Sequence, residues 1–186
     1  MGSHVRRPVA ACAVMGTLLM IAPPAGAQVS SDTERARMTA VRMTEGESIT
    51  LDGELNEPVW QRAVPAADFV QQIPQTGTPA TERTEVRIAY DRTTFYMGVI
   101  CFDSEPDKML RYQMRRDQFL SADDRFMWVI DPFLTGQGGY HFETNPSGLM
   151  GEGLLGPAGY NRDWDGIWTE RVRRTEEGWI LEIAIP

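Results

Sequence analysis

Between residues 84 and 103 the chain alternates apolar and polar positions twice over. Val86, Ile88 and Tyr90 alternate with Glu85, Arg87 and Ala89. After the polar run Asp91-Arg92-Thr93-Thr94, the residues Phe95, Met97, Val99 and Cys101 repeat the pattern. A period of two places one set of side chains on one face of a strand. The spacing therefore predicts a β-hairpin with an apolar inner face. Its second strand is apolar at nearly every position, which predicts a mid-sheet strand covered on both sides. A lone hairpin is marginal in water, so the rest of the chain must supply a second layer.

Shorter stretches of the same kind flank the hairpin. Ser48 to Leu51 reads as a short strand, followed by a turn at Asp52-Gly53. Asn56 is a candidate cap for a short helix, with Pro58 in its first turn and Val59 and Trp60 on its inner side. Residues 69–73 are extended, and 74–79 form a loop rich in Pro, Gly and Thr. Residues 108–119 show no strand alternation. Strands are predicted at 124–131, with Phe126, Trp128 and Ile130 on one face, at 140–144 and at 149–155. A Gly-rich loop at 156–166 carries Tyr160 and Trp164. A last hairpin pairs 168–174 with 179–185 across Glu176-Glu177-Gly178. Eight or nine short strands with no long amphipathic helix predict an all-β fold. The class is an antiparallel β-sandwich, jelly-roll-like, with short helical turns.

The amino-terminal segment stands apart from this pattern. Arg6 and Arg7 precede an apolar run at 9–22, and Ala25-Gly26-Ala27 follows as a small-residue cleavage signal. Residues 1–27 are read as a secretory signal peptide, and the protein as exported: periplasmic, outer membrane-associated or secreted, from a Gram-negative bacterium. Residues 28–45, polar and without periodicity, are read as a flexible leader. The sandwich spans 46–186, and its end at Ile185-Pro186, straight off a strand, is read as a truncation of a longer protein. The formal charge of −8 becomes −10 without Arg6 and Arg7, which argues against nucleic acid as a partner. Cys12 leaves with the signal peptide, so Cys101 stands alone. On an apolar strand face it reads as a small hydrophobe.

The motifs, taken in order, resemble a known family. They are ITLDGELNEPVW at 49–60, the RTEVRIAYD run ending at 91, FYMGVICFDSEP at 95–106, RRDQFLSADDRFMWVIDPF at 115–133, GYHFETNPSG at 139–148 and GWILEIAIP at 178–186. The chain is similar over about 46–186 to the family 9 carbohydrate-binding module, in the version found at the front of bacterial outer-membrane barrel proteins. The resemblance implies a β-sandwich that binds a polysaccharide or oligosaccharide without catalysis. It also implies calcium as a structural ion, and a downstream outer-membrane barrel as a partner in the parent chain.

Sugar binding needs flat aromatic faces and polar groups for hydroxyls. Tyr160, Trp164 and Trp168 lie in or beside the Gly-rich loop and, with Arg116, are the candidate carbohydrate-binding residues. Trp164 and Trp168 also read as loop anchor and core. Asp117, Asp123, Asp124 and Asp131 fall within fifteen residues and are the candidate calcium ligands, since hard cations take carboxylates. Arg111, Arg115, Arg116 and Arg125 lie nearby, and ion pairing or turn capping explains the same charges. Three other readings stay open. One is a structural accessory domain of a barrel protein with no sugar site. Another is a component of an O-glycosyl hydrolase, xylanase-like if the parent is an enzyme; no carboxylate pair is singled out for it. The third is a haem-binding sandwich using Met97, Met109, Met114, Met127 or His141.

Overall fold

The computed structural model describes residues 36–186. The signal-peptide segment and the first part of the leader lie outside the described residues. Nine strands and one short helix follow in chain order: β1 (Val41–Arg42), α1 (Pro58–Arg62), β2 (Thr84–Tyr90), β3 (Phe95–Phe102), β4 (Phe126–Ile130), β5 (Gly139–Thr144), β6 (Met150–Gly156), β7 (Gly159–Asn161), β8 (Thr169–Thr175) and β9 (Gly178–Ile185). They make two sheets, one of order β1-β2-β3-β9-β8 and one of order β4-β5-β6-β7. Every pairing is antiparallel except β1 with β2. The predicted β-sandwich is the observed fold.

The central hairpin is where the alternation placed it. Val86 faces Val99 and Ile88 faces Met97 across the β2–β3 ladder. Strand β3 lies between β2 and β9. Its inner residues join Val86, Phe142, Trp168, Trp179, Leu181 and Ile183 in the main core. Fully burying a side chain such as Leu181 contributes about 1.5–3 kcal/mol over leaving it exposed. Cys101 packs against this core, and burial pushes its thiol up to about 12. It behaves as the small hydrophobe that its position implied.

The outer face of the five-stranded sheet is covered as well. Val59 and Trp60 of α1, together with Met43 and Ala89, form a second apolar cluster. This cover explains the departures from the sequence pattern. Ala89, on the nominally polar face of β2, is fully buried, whereas Tyr90 at the strand end is exposed. Residues 41–43 are not a free leader: β1 extends the sheet, and Met43 N–H donates to the Tyr90 carbonyl at 2.9 Å. The stretch at 48–51 forms no strand; Ile49 only packs against the second cluster. Asn56 does not cap α1. Glu57 holds the cap position, and the Asn56 amide donates to Glu54 instead.

A buried carboxylate ties the outer cluster to the sheet. Glu182 Oε2 on β9 accepts the backbone N–H groups of Asp52 and Gly53, each at 2.8 Å, and Oε1 accepts Trp60 Nε1–H at 3.2 Å. Gly53 has φ +85°, and a Cβ there would sit 2.7 Å from the Arg173 Cβ. Only glycine lets the turn reach the carboxylate. A second buried acid bridges the two sheets: Glu170 of β8 accepts from the Thr144 hydroxyl of β5 at 2.7 Å. Burial pushes the Glu170 carboxyl up to about 8.

Two outcomes follow from these acids. Glu182→Ala strands three donors, and the urea-unfolding free energy falls on the order of 3 kcal/mol. For Glu170, the folded carboxyl keeps a proton that the unfolded chain releases at the ordinary carboxylate value. The protein therefore loses stability as pH rises from the ordinary carboxylate value of 4.5 toward about 8, and the loss is constant above that. Glu170→Gln keeps a neutral partner for Thr144. The difference between the two stability–pH curves then grows across that window, reaching a few kcal/mol in the variant's favour. Equal slopes for both proteins between pH 5 and 8 would sink this account.

Candidate functional site

Among the described residues no helix lies over the outer face of the four-stranded sheet. Alternation along β5 sends Tyr140 and Phe142 into the core and His141 and Glu143 outward. On this face His141 stands opposite Val129 and Gly153, and Glu143 opposite Met127 and Gly151. The two glycines clear the floor. A Cβ at Gly151 would lie 3.1 Å from Glu143 Cγ, and one at Gly153 would lie 2.3 Å from the Tyr160 ring. Without side chains at these positions, Glu143 and Tyr160 can lie flat across β6.

Glu143 is 3% exposed, so its charge must be matched within the protein. Its Oε2 accepts from Arg125 Nη1 at 3.3 Å and its Oε1 from Arg162 Nη2 at 3.2 Å. The Arg162 guanidinium also lies 4.2 Å from the centre of the Phe119 ring, within cation–π range. Phe119 is 73% exposed and Tyr160 42%. The Tyr160 hydroxyl sits 3.1 Å from His141 Nδ1 and donates to the Glu152 carbonyl at 3.3 Å. With its proton given to that carbonyl, Tyr160 accepts from His141 Nδ1–H, and Nε2 keeps a lone pair. Burial holds the His141 imidazole below its ordinary value, so it is neutral near pH 7. Exposed Met127 and Val129 complete the surface. Two accessible aromatic rings thus flank a set of fixed donors and acceptors.

The four residues singled out in the sequence do not meet at one place. Tyr160 lies on this outer face. Trp164 lies on the inner side, stacked at a tilt on Tyr140 with ring centres 5.0 Å apart. It lines an open cleft of about 880 Å³ at one end of the sandwich, with Asp91, Arg92 and Asp165 also on the wall. Trp168 is not a platform. It is 4% exposed, and its Nε1–H donates to Glu152 Oε2 at 3.2 Å. Its indole faces the core because β8 begins there with its inward side committed to the second layer. Arg116 is not a free sugar ligand either, since it is ion-paired with the fully buried Glu152. Phe119, Glu143 and Arg162 were missed as site residues, and His141 was singled out only as a haem-ligand candidate. The signal for them was the glycine alternation Gly151, Gly153 on the neighbouring strand, which bares the outward floor.

The four aspartates do not assemble a calcium site. Among the described residues no group of three or more His, Cys, Asp or Glu side chains converges. Asp123 Oδ2 accepts Gln113 N–H and the Asn145 amide, and Asp124 Oδ2 accepts Leu110 N–H. Asp131 accepts Phe133 and Gly136 N–H, which hold its carboxyl below the usual range. Asp117 flanks Arg116 at 3.9 Å. Two oxygens, Asp117 Oδ1 and Asp123 Oδ1, are buried without a protein partner, far short of the six to eight that calcium takes. The donor set does not fit the ion: Asp131 caps its own turn, Asp123 and Asp124 tie in the 110–113 segment, and Asp117 flanks Arg116.

No family model matches the chain, and no curated protein matches it. Solved structures do. A family 9 carbohydrate-binding module from Caldicellulosiruptor kristjanssonii in complex with cellotriose superposes with a TM-score of 0.56 at 13% identity, over 80% of this chain and 67% of that one. The chain has the family 9 module fold. A module of the same family and organism in complex with glucose gives a TM-score of 0.54 at 13% identity, over 79% and 68% of the two chains. At this identity the likeness describes the fold of the family 9 sandwich, and the site rests on the residues above.

Gly153→Ala tests the seat of Tyr160 on this sheet. The added methyl displaces a ring that is already half exposed, so the fold survives while the His141 contact opens. The His141 pKa, followed by NMR titration, then rises toward its ordinary value as water reaches the imidazole. An unchanged titration in a variant with altered Tyr160 resonances would refute the arrangement.

Proposed function

We propose that this protein is an exported, non-catalytic carbohydrate-binding module, and that it takes an oligosaccharide or polysaccharide on the outer face of the four-stranded sheet. The observation that carries this reading is the pairing of exposed Tyr160 and Phe119 with the clamped Arg125–Glu143–Arg162 group. Aromatic faces suit the C–H face of a pyranose. Fixed guanidinium and imidazole groups suit its hydroxyls, because they are already oriented and lose little freedom on binding. The family 9 modules of the same fold, in complex with cellotriose and glucose, support the ligand class. The amino-terminal targeting pattern supports export, and the resemblance supports a barrel-bearing parent as partner.

A second location for the same function has its own observation. The Trp164 cleft is an open concavity, and polar Asp91, Arg92, Thr93 and Asp165 share its wall with the indole. One face of that indole is spent on Tyr140, which favours the outer sheet.

Calorimetric titration of the chain with cellotriose and a panel of neutral oligosaccharides separates the two locations. Tyr160→Ala and Phe119→Ala should each weaken binding about tenfold or more, consistent with the loss of 1–3 kcal/mol for a stacked ring, and Trp164→Ala should leave it unchanged. Loss confined to Trp164→Ala would move the site to the end cleft. A folded protein that binds no glycan would overturn the reading in favour of a structural accessory domain.

A further inference from the structure

Another concavity lies on the flank of the sandwich, lined by neither set of residues above. Edge strand β8, the turn at 145–148 and the loop around Arg111 enclose an open cleft of about 690 Å³. Four arginines line it: Arg111, Arg171, Arg173 and Arg174. Arg173 is paired with Glu54. Among the described residues Arg111, Arg171 and Arg174 have no carboxylate within ion-pair distance. This concentration of unmatched cations runs against a chain whose formal charge is −8.

The same wall includes Glu170, which is 8% exposed. Its Oε1 accepts from Thr144, while its Oε2 is enclosed with no partner. A carboxylate there would neutralise the arginines. Burial instead keeps the group protonated at neutral pH, so it adds no negative charge to the wall. The Ser147 hydroxyl is already spent on the Arg111 carbonyl. The cleft therefore presents guanidinium forks, which are donors only, with no charged carboxylate of its own wall to neutralise them. Such a set is complementary to a planar or tetrahedral oxyanion.

We propose that this cleft binds the oxyanion of an acidic glycan, the carboxylate, sulfate or phosphate group carried on a sugar ring. The glycan part rests on the sugar-binding reading above; the oxyanion part stands on the cleft itself. The rival explanation is that arginines on a bare edge strand keep that edge from pairing with another chain.

The test titrates the full chain with inorganic sulfate, an oligogalacturonate and a cello-oligosaccharide of equal length, at low and high salt. It compares the native protein with the Arg171→Gln/Arg174→Gln double variant and with Arg111→Gln, after thermal melts confirm folding. The expected result is oligogalacturonate binding that weakens with salt and falls at least tenfold in the double variant, with cello-oligosaccharide binding unchanged. Arg171→Lys/Arg174→Lys should restore part of the affinity, since charge remains but the fork is lost. Oligogalacturonate bound equally by the native protein and the double variant overturns the proposal. So does a double variant whose only change is self-association in sedimentation. Sulfate binding that answers to these arginines without oligogalacturonate binding overturns the glycan assignment and leaves a simple anion site. Cello-oligosaccharide bound while oligogalacturonate is not overturns this inference and leaves the sugar-binding reading intact.

Discussion

Strand β9 has to be buried on both faces, and much of the architecture follows from that requirement. It lies between β3 and β8. Trp179, Leu181 and Ile183 face the core between the sheets, while Glu182 faces the other way. An ionisable group in that outward position is tolerable only with fixed donors around it. The turn at Asp52-Gly53 and the indole of Trp60 supply them. The segment before β2 is thus not an ornament on the sheet. It covers an apolar face and satisfies the acid that β9 places beneath it.

The other sheet obeys the opposite condition. Among the described residues nothing comparable covers its outer face, and the buried acids of this sheet find side-chain partners nearby. Glu143 is held between two arginines, and Glu152 on the inner side is held by Arg116 and the Trp168 indole. The consequences differ. Glu152 is sealed inside and fixes the packing of two side chains that otherwise had the composition of a binding site. Glu143 and its arginines stay at the border of solvent, beside rings that remain accessible. An acidic chain that buries several carboxylates therefore uses the same pairing chemistry to seal the inner side of the four-stranded sheet and to hold a solvent-bordering charge group on its outer side.

The fold was largely legible because strand alternation is a strong signal wherever one face is wet. The central hairpin, β4, β5 and the closing hairpin all follow it. The misses came where tertiary cover outweighed local pattern. Ala89 is buried although its neighbours in the polar set are charged, because it joins Met43, Val59 and Trp60 in the outer cluster. Val41 joins a sheet although a two-residue strand has too few positions to show a period. Strand β7 lies inside a loop whose glycines read as turn formers; Gly159, at φ +110°, makes the turn that lets the chain pair back on β6.

That same turn explains why the candidate site was only partly legible. Residue type identifies an aromatic ring as a possible platform, but register decides which side of a sheet it faces. Pairing of Tyr160 with Leu155 carries the phenol to the outer face, over Gly153. Four residues later the chain has crossed the edge of the sheet, and Trp164 packs on Tyr140 and Phe142 from within. A shift of one residue in the β6–β7 register would exchange inside for outside. Proximity in sequence grouped Tyr160, Trp164 and Trp168 as one platform. The pleat distributes them over an open face, an end cleft and a core, and only the first also brings an unburied ring beside oriented polar groups.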